Sequence, residues 1–266
     1  MYESYWRLSD KPFRNTAEPK FLYLSAQHEE ASARLQYGIN SALGCIVLSG
    51  VFGCGKTLLL RSLFLELEKG KYSTVFIPNP QMTPVELLSS VTYNLGIDED
   101  IPHNKAEYLK RIDKAVLNNY NDGKHTIIVI DEAHVINSKD TFEELRMLLN
   151  FQRKEKFLIT LILSGQPEIN TKVNNIKQLA QRVGIKAHLD RMNLEDTTGY
   201  IKHRLEIAGR EEEIFTGNAY ELIFNNSGGI PRRINSICDL SLLAGFTQKA
   251  EQIDGNIVTE VVGDLI

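Results

Sequence analysis

The run Gly50-Val51-Phe52-Gly53-Cys54-Gly55-Lys56-Thr57 matches the pattern G-x-x-x-x-G-K-[ST] and stands between an apolar stretch and a helix-forming one. Glycines let a backbone bend around an anion, so that successive N–H groups and the positive end of the next helix face phosphate oxygens. Lys56 is expected to reach the β and γ phosphates of ATP, and Thr57 to ligate Mg2+. With Leu58, these residues make up the expected nucleotide-binding stretch. A second chemical pair, Asp131-Glu132, ends the apolar run TIIVID at 126–131. Parallel strands deliver their C-terminal residues to the sheet edge where open α/β sheets bind ligands. Asp131 is therefore expected to hold the magnesium shell with Thr57, and Glu132 to polarise the attacking water.

Two further readings arise from the same residues. Asp131-Glu132-Ala133-His134 spells DEAH, which raises a helicase. Such helicases need a second RecA-like lobe, and half of the sequence after His134 is expected to be a helical lid, so that reading is set aside. His134 has no partner that the sequence names, and a structural or relay role is expected for it rather than catalysis. Cys54 lies inside the phosphate loop, where backbone N–H groups and Lys56 could sensitise its thiol to oxidation; the competing reading is that the loop simply needs a small residue there.

These groups require a particular scaffold. Short apolar runs bounded by turn residues alternate with helical segments: strands over 45–50, 73–78, 126–131, 157–165 and 184–190, and helices over 25–43, 56–69, 83–95, 105–119, 140–152 and 174–183. Ser25 is the expected N-cap of the first helix and Gly44 its stop. Strands apolar on both faces with helices between them call for a parallel sheet covered on two sides. After Asp190 the strands stop, and helices are expected over 195–209, 216–226, 231–247 and 256–264. The fold class is thus α/β: a P-loop NTPase with a five-stranded parallel sheet between helices and a small C-terminal all-helical lid. The expected division is an N-terminal extended arm over 1–24, rich in aromatics and prolines and laid on the core, a nucleotide-binding domain over 25–192, and the lid over 193–266.

Composition is that of an ordinary soluble domain, with 42% hydrophobic and 24% charged residues among 266. A net charge of -4 gives no global basic field, so any DNA contact has to be regional. Three cysteines without metal spacing suit a reducing cytoplasm better than a disulfide framework. The first residues lack the build of a signal peptide, and no apolar run approaches the roughly 18 residues of a membrane span, so the expectation is a cytoplasmic chain without one.

Taken together, Tyr5-Trp6-x-Leu8 with Pro12-Phe13, the HEEA start of the first helix, the phosphate loop, DEAH, Ser164-Gly165-Gln166-Pro167-Glu168, Gln181-Arg182, the Tyr200 to Gly209 stretch and Gly228-Gly229-Ile230-Pro231-Arg232-Arg233 carry a resemblance. The chain resembles the ATPase domain of ExeA/GspA-type proteins over nearly its whole length, a family similar to Orc/Cdc6-like AAA+ ATPases and to the transposition ATPases TniB and TnsC. The resemblance implies further roles. Gln166, or alternatively Ser164, falls at the first sensor of the γ-phosphate; Arg182 falls at the arginine finger that acts on a neighbouring subunit's ATP; Arg232, or the adjacent Arg233, matches the second sensor. It also implies a homo-oligomer, a ring or filament. ExeA/GspA proteins continue into a membrane span and an envelope-binding region, whereas this sequence stops at Ile266.

Three classes of function follow. The first is ATP hydrolysis in an oligomer that drives or switches assembly of a partner complex. The second is an ATP-dependent DNA-binding transposition regulator, for which a helix over 140–156 would offer Arg146, Arg153, Lys154 and Lys156. The third is a protein-recruiting adaptor with little turnover.

Overall fold

The structure, a computed structural model, describes residues 1–97 and 104–265. Its strands are β1 (Cys45–Gly50), β2 (Tyr72–Ile77), β3 (His125–Ile130), β4 (Gln152–Arg153), β5 (Lys156–Phe157), β6 (Ile159–Gly165) and β7 (Val183–Leu189). Its helices are α1 (Tyr2–Tyr5), α2 (Ala26–Asn40), α3 (Lys56–Glu66), α4 (Pro84–Asn94), α5 (Lys105–Asn121), α6 (Lys139–Leu148), α7 (Glu168–Asn174), α8 (Lys177–Ala180), α9 (Leu194–Ile207), α10 (Gly217–Ser227), α11 (Pro231–Gln248) and α12 (Gly255–Leu265). The chain divides into two compact units, one of residues 30–50 and 63–189, the other of residues 1–29, 51–62 and 190–266.

The first unit is built on a five-stranded parallel sheet in the order β2-β3-β6-β1-β7. Strands β1 and β6 are buried along their full length, which is why they read as unbroken apolar runs. Leu87, Leu88 and Val91 of α4, Ile112 and Val116 of α5, and Leu145 and Leu148 of α6 share one core with the sheet residues Val47, Ile128, Leu161 and Leu163. Helix α4 opens with a full capping box, in which Thr83 and Glu86 bond each other's backbone, and α5 is capped by Asn104. At the carboxyl edge, Ser49 of β1 lies beside Gly165 of β6, and Ile130 of β3 beside Leu163.

Three expected helices differ here. The segment expected as a helix over 140–152 ends at Leu148, and the basic residues after it belong to the hairpin β4-β5. Lys154 and Glu155 form its tip with φ of 47° and 64°, a turn rather than a helix, so Arg146, Arg153, Lys154 and Lys156 do not share the helix over 140–156 that the DNA reading supposed. The helix expected over 174–183 is two short ones, α7 and α8, interrupted at Ile176, whose φ of -109° and ψ of 84° leave the helical region, and the fifth strand already begins at Val183. The helix expected to run to Leu43 ends at Asn40, and the Ser25 hydroxyl bonds the His28 ring at 2.8 Å.

In the second unit, α9 to α12 close around Tyr200, Ile201, Phe215, Ile223, Ile234, Cys238 and Leu242. The N-terminal residues are more ordered than an extended arm. They form α1 and a 3-10 turn at Pro19–Phe21, and they bury Tyr2, Trp6, Leu8 and Phe13 in this same helical core. The period was hidden because these aromatics are spaced by the surface they cover. Trp6 Nε1 donates to the Leu242 carbonyl at 2.9 Å, and the Ser9 amide to the Ala208 carbonyl at 2.8 Å. Arg204, 2% exposed, lies over the Phe21 ring at 4.7 Å and donates to the Pro12 and Arg14 carbonyls and the Tyr200 hydroxyl. A buried guanidinium so fully bonded ties the arm to α9.

Candidate active site

The glycine-rich loop, residues 51–57, leaves β1 at Gly50 and enters α3 at Lys56. Gly53 and Gly55 have φ of 82° and 98°, left-handed conformations that let the loop curl and that favour glycine. At Gly53 there is a second reason for glycine: a Cβ would stand 2.9 Å from Cβ of Arg232. The Arg232 amide donates to the Gly53 carbonyl at 3.3 Å, and its guanidinium lies 4.9 Å from the centre of the exposed Phe52 ring. The residue matching the second sensor thus meets the phosphate loop. Lys56 is 5% exposed, and its Nζ lies 3.1 Å from the Val51 carbonyl, a buried cation turned back into its own loop.

Motif and spacing assign no role to His28, which the structure sets against the loop. It is 3% exposed; Nε2 is 3.1 Å from the Cys54 carbonyl and Nδ1 2.8 Å from the Ser25 hydroxyl. A carbonyl only accepts, so Nε2 carries the proton and Nδ1 accepts from Ser25. Burial pushes the ring's pKa below its ordinary value, partly offset by the Cys54 bond. The signal was the His of HEEA, but helical spacing alone does not say that its ring reaches a loop more than twenty residues on. Of the two readings of Cys54, the structure favours the small loop residue over the sensitised thiol: burial pushes the thiol up, and this outweighs the opposing pull of Lys56, whose Nζ is 4.0 Å from Sγ.

The carboxyl edge of the sheet holds the other candidate residues. Asp131 follows β3, is 2% exposed, and accepts from the Ser164 hydroxyl at 2.7 Å. Glu132 has φ 52° and ψ 32°, left-handed for a non-glycine residue. Gln166, just past β6, places its amide nitrogen 3.0 Å from His134 Nε2. Of the two sensor candidates, then, Ser164 bonds Asp131 and Gln166 bonds His134. Arg182, between α8 and β7, donates to the Arg146 carbonyl at 3.3 Å and to Asn150 Oδ1 at 2.7 Å, near the end of α6.

The donor types suit magnesium. A threonine hydroxyl and a carboxylate are hard oxygen ligands, and Mg2+ is ordinarily completed by phosphate oxygens and water. A parallel sheet with a glycine-rich loop after one strand and an acidic pair after its neighbour-but-one defines a P-loop nucleotide hydrolase. A family model described as an AAA domain matches residues 39–173. The chain is 36% identical over 261 residues to the general secretion pathway protein A of Aeromonas hydrophila, covering 95% of this chain and 46% of that protein. It therefore spans less than half the length of that relative. In fold it is similar to the Aeropyrum pernix ORC1 protein solved in complex with DNA, with a TM-score of 0.71 at 15% identity over 92% of this chain and 67% of that one. It is also similar to Cdc6p from Pyrobaculum aerophilum, with a TM-score of 0.69 at 15% identity over 99% and 71%. The chain belongs to the AAA domain family and is a P-loop ATPase of the AAA+ kind. No helix among the described residues is long and apolar enough to cross a membrane.

Proposed function

We propose that this ATPase works with Mg2+ in a homo-oligomer, a ring or filament in the cytoplasm, where ATP bridges subunits and its hydrolysis drives or switches the assembly of a partner complex. The single observation that carries the catalytic part is the carboxyl edge of the sheet. There β1 ends at the phosphate loop, β3 ends at Asp131-Glu132, and β6 lies between them with Ser164 and Gln166 at its end. In this reading Gly50 to Leu58 cradle the phosphates, Lys56 neutralises their charge, and Thr57 and Asp131 hold the metal, which would draw charge from the phosphoryl oxygens. Glu132 takes the water's proton, Gln166 reads the terminal phosphate, and Arg232 acts from the lid. Arg182 serves the neighbouring copy. The three-part division into an arm over 1–24, a nucleotide-binding domain over 25–192 and a lid over 193–266 belongs to the same reading.

Lys56→Ala should abolish ATP binding, whereas Glu132→Gln should bind ATP and stop turnover, because lysine acts on ground-state charge and glutamate only on the reacting water. Equilibrium binding of ATP and phosphate release measured on both variants check this; hydrolysis at the unsubstituted rate by either one removes the site assignment. The general secretion relationship favours a protein complex as the target. The second reading, an ATP-dependent DNA-binding regulator of the TniB/TnsC type, is favoured by the basic hairpin, where Arg153, Lys154 and Lys156 are exposed. DNA retention that needs ATP and falls steeply with salt selects it; stimulation of turnover by a protein without DNA selects the recruiting adaptor or the assembly ATPase.

A further inference from the structure

His134 stands outside the roles just assigned, yet the structure surrounds it with them. It lies in the 3-10 turn Ala133–Val135 directly after Glu132. Its Nδ1 is 3.2 Å from Glu132 Oε2, and its Nε2 is 3.0 Å from the Gln166 amide nitrogen. Nδ1 is shut off from solvent and has no aligned hydrogen bond, which leaves the nearby carboxylate as the acceptor within reach. Hydrogen-bond chemistry then places the proton. An amide nitrogen only donates, so Nε2 must accept, and the single proton of a neutral imidazole sits on Nδ1, 3.2 Å from a carboxylate that only accepts though off the line of a hydrogen bond. Turning the Gln166 amide over would put its carbonyl against Nε2. The neutral ring would then carry its proton on Nε2 and set the Nδ1 lone pair against the Glu132 carboxylate. The face that Gln166 shows therefore decides whether His134 attracts Glu132 or repels it.

The surroundings hold this chain rigid. A Cβ at Gly165 would stand 3.0 Å from the His134 amide nitrogen and 3.2 Å from Nδ1, so the end of β6 packs directly on the ring. Lys172 of α7 donates to the His134 carbonyl, to the Ile136 carbonyl at 2.7 Å and to Asn137 Oδ1 at 3.1 Å, which pins the turn from the other side. Glu132 itself keeps a left-handed backbone that only its neighbours can maintain.

We propose that His134 is a positioning residue that couples Gln166 to Glu132: the Gln166 amide nitrogen on Nε2 fixes the ring, and the ring in turn keeps the Glu132 carboxylate where it meets the water. The inference rests on the roles proposed above for Glu132 and Gln166.

The test compares His134→Leu, which fills similar space without nitrogen, with His134→Gln, which keeps a donor, each alone and with Gln166→Ala. His134→Leu should bind ATP within about threefold of the parent while kcat falls roughly 10²-fold, the scale of a misplaced catalytic group. Adding Gln166→Ala should then cost less than it does in the parent, and His134→Gln should recover part of kcat. Independent, multiplying losses overturn the coupling, as does equal behaviour of the leucine and glutamine variants, which would mean that the ring only packs. Should His134→Leu fail to fold, the cycle between His134→Gln and Gln166→Ala decides by the same criterion. Glu132→Gln that still hydrolyses ATP would overturn the underlying site; an inactive Glu132→Gln beside a fully active His134→Leu would overturn the coupling alone.

Discussion

Cys54 shows how one residue's surroundings can reverse what its neighbours in sequence suggest. A thiol between loop N–H groups and a lysine reads as activated, but the side chain is fully buried and the thiol is pushed up. The other two behave alike: Cys45 is pushed up to about 12, and Cys238 lies well above its ordinary value, both through burial. Reactivity follows the thiolate, so the folded protein should present no fast-reacting thiol. Titration with a chromogenic disulfide at neutral pH should give none in native protein and 3 after unfolding. Rapid reaction of one thiol, protected by ATP, would instead return Cys54 to the status of a redox handle.

At the scale of elements, α10 is joined to α11 by a turn that tolerates no side chain at Gly229. Gly229 has φ 70°, and a Cβ there would stand 1.9 Å from the Met192 carbonyl oxygen, a backbone atom that has no room to yield. The Met192 amide also donates to the Gly229 carbonyl at 2.9 Å. Gly229→Ala should therefore cost about 3 kcal/mol or more of stability, from left-handed strain and overpacking together, read as a drop in the urea midpoint. A midpoint unchanged by the substitution would show that the turn opens freely. The strands of the sheet and the loop between Gly50 and Lys56 were legible in the sequence, because burial on two faces and phosphate binding each impose a local pattern. The helix breaks at Leu148 and Ile176 were not. Their residues suit a helix locally, and the hairpin and the early start of β7 are set by sheet pairing across distant sequence. His28 and His134 were visible as letters without roles, since the partners of a ring are a tertiary matter.

The molecule as a whole carries two consequences, one for acid stability and one for assembly. His125 bonds Thr160 Oγ1 at 2.8 Å, and burial pushes its pKa down to about 4; His28 is shifted the same way. A histidine held neutral in the folded state and near 6.5 when unfolded contributes its full stability above about pH 6.5 and loses it as pH falls toward 4. Denaturation at pH 7 and pH 5 should show the parent losing on the order of 2 kcal/mol more than His125→Gln over that interval; equal slopes would assign the acid sensitivity elsewhere.

The proposed sharing of a site between copies turns on Arg182. Within one chain its guanidinium is already engaged by the Arg146 carbonyl and Asn150 Oδ1, and burial together with the nearby Arg146 charge lowers its pKa. Those bonds are of the partly exposed kind that contributes little, whereas an arginine finger is worth about 10³ to 10⁵ in turnover in other NTPases, so giving them up costs little against what the residue returns in the transition state. A lone chain should then be a poor enzyme, and hydrolysis per chain should rise with protein concentration. Arg182→Ala should bind ATP normally and hydrolyse it slowly. Mixing Arg182→Ala with Lys56→Ala, each inactive alone, brings an intact Arg182 to an intact phosphate loop in some of the assemblies and should recover part of the activity. Recovery depends on each subunit lending one residue to the next, and no intrachain role for Arg182 can produce it. If the mixture stays inactive at concentrations that support assembly, and the rate per chain is flat on dilution, Arg182 serves only the end of its own α6 and each chain hydrolyses ATP by itself.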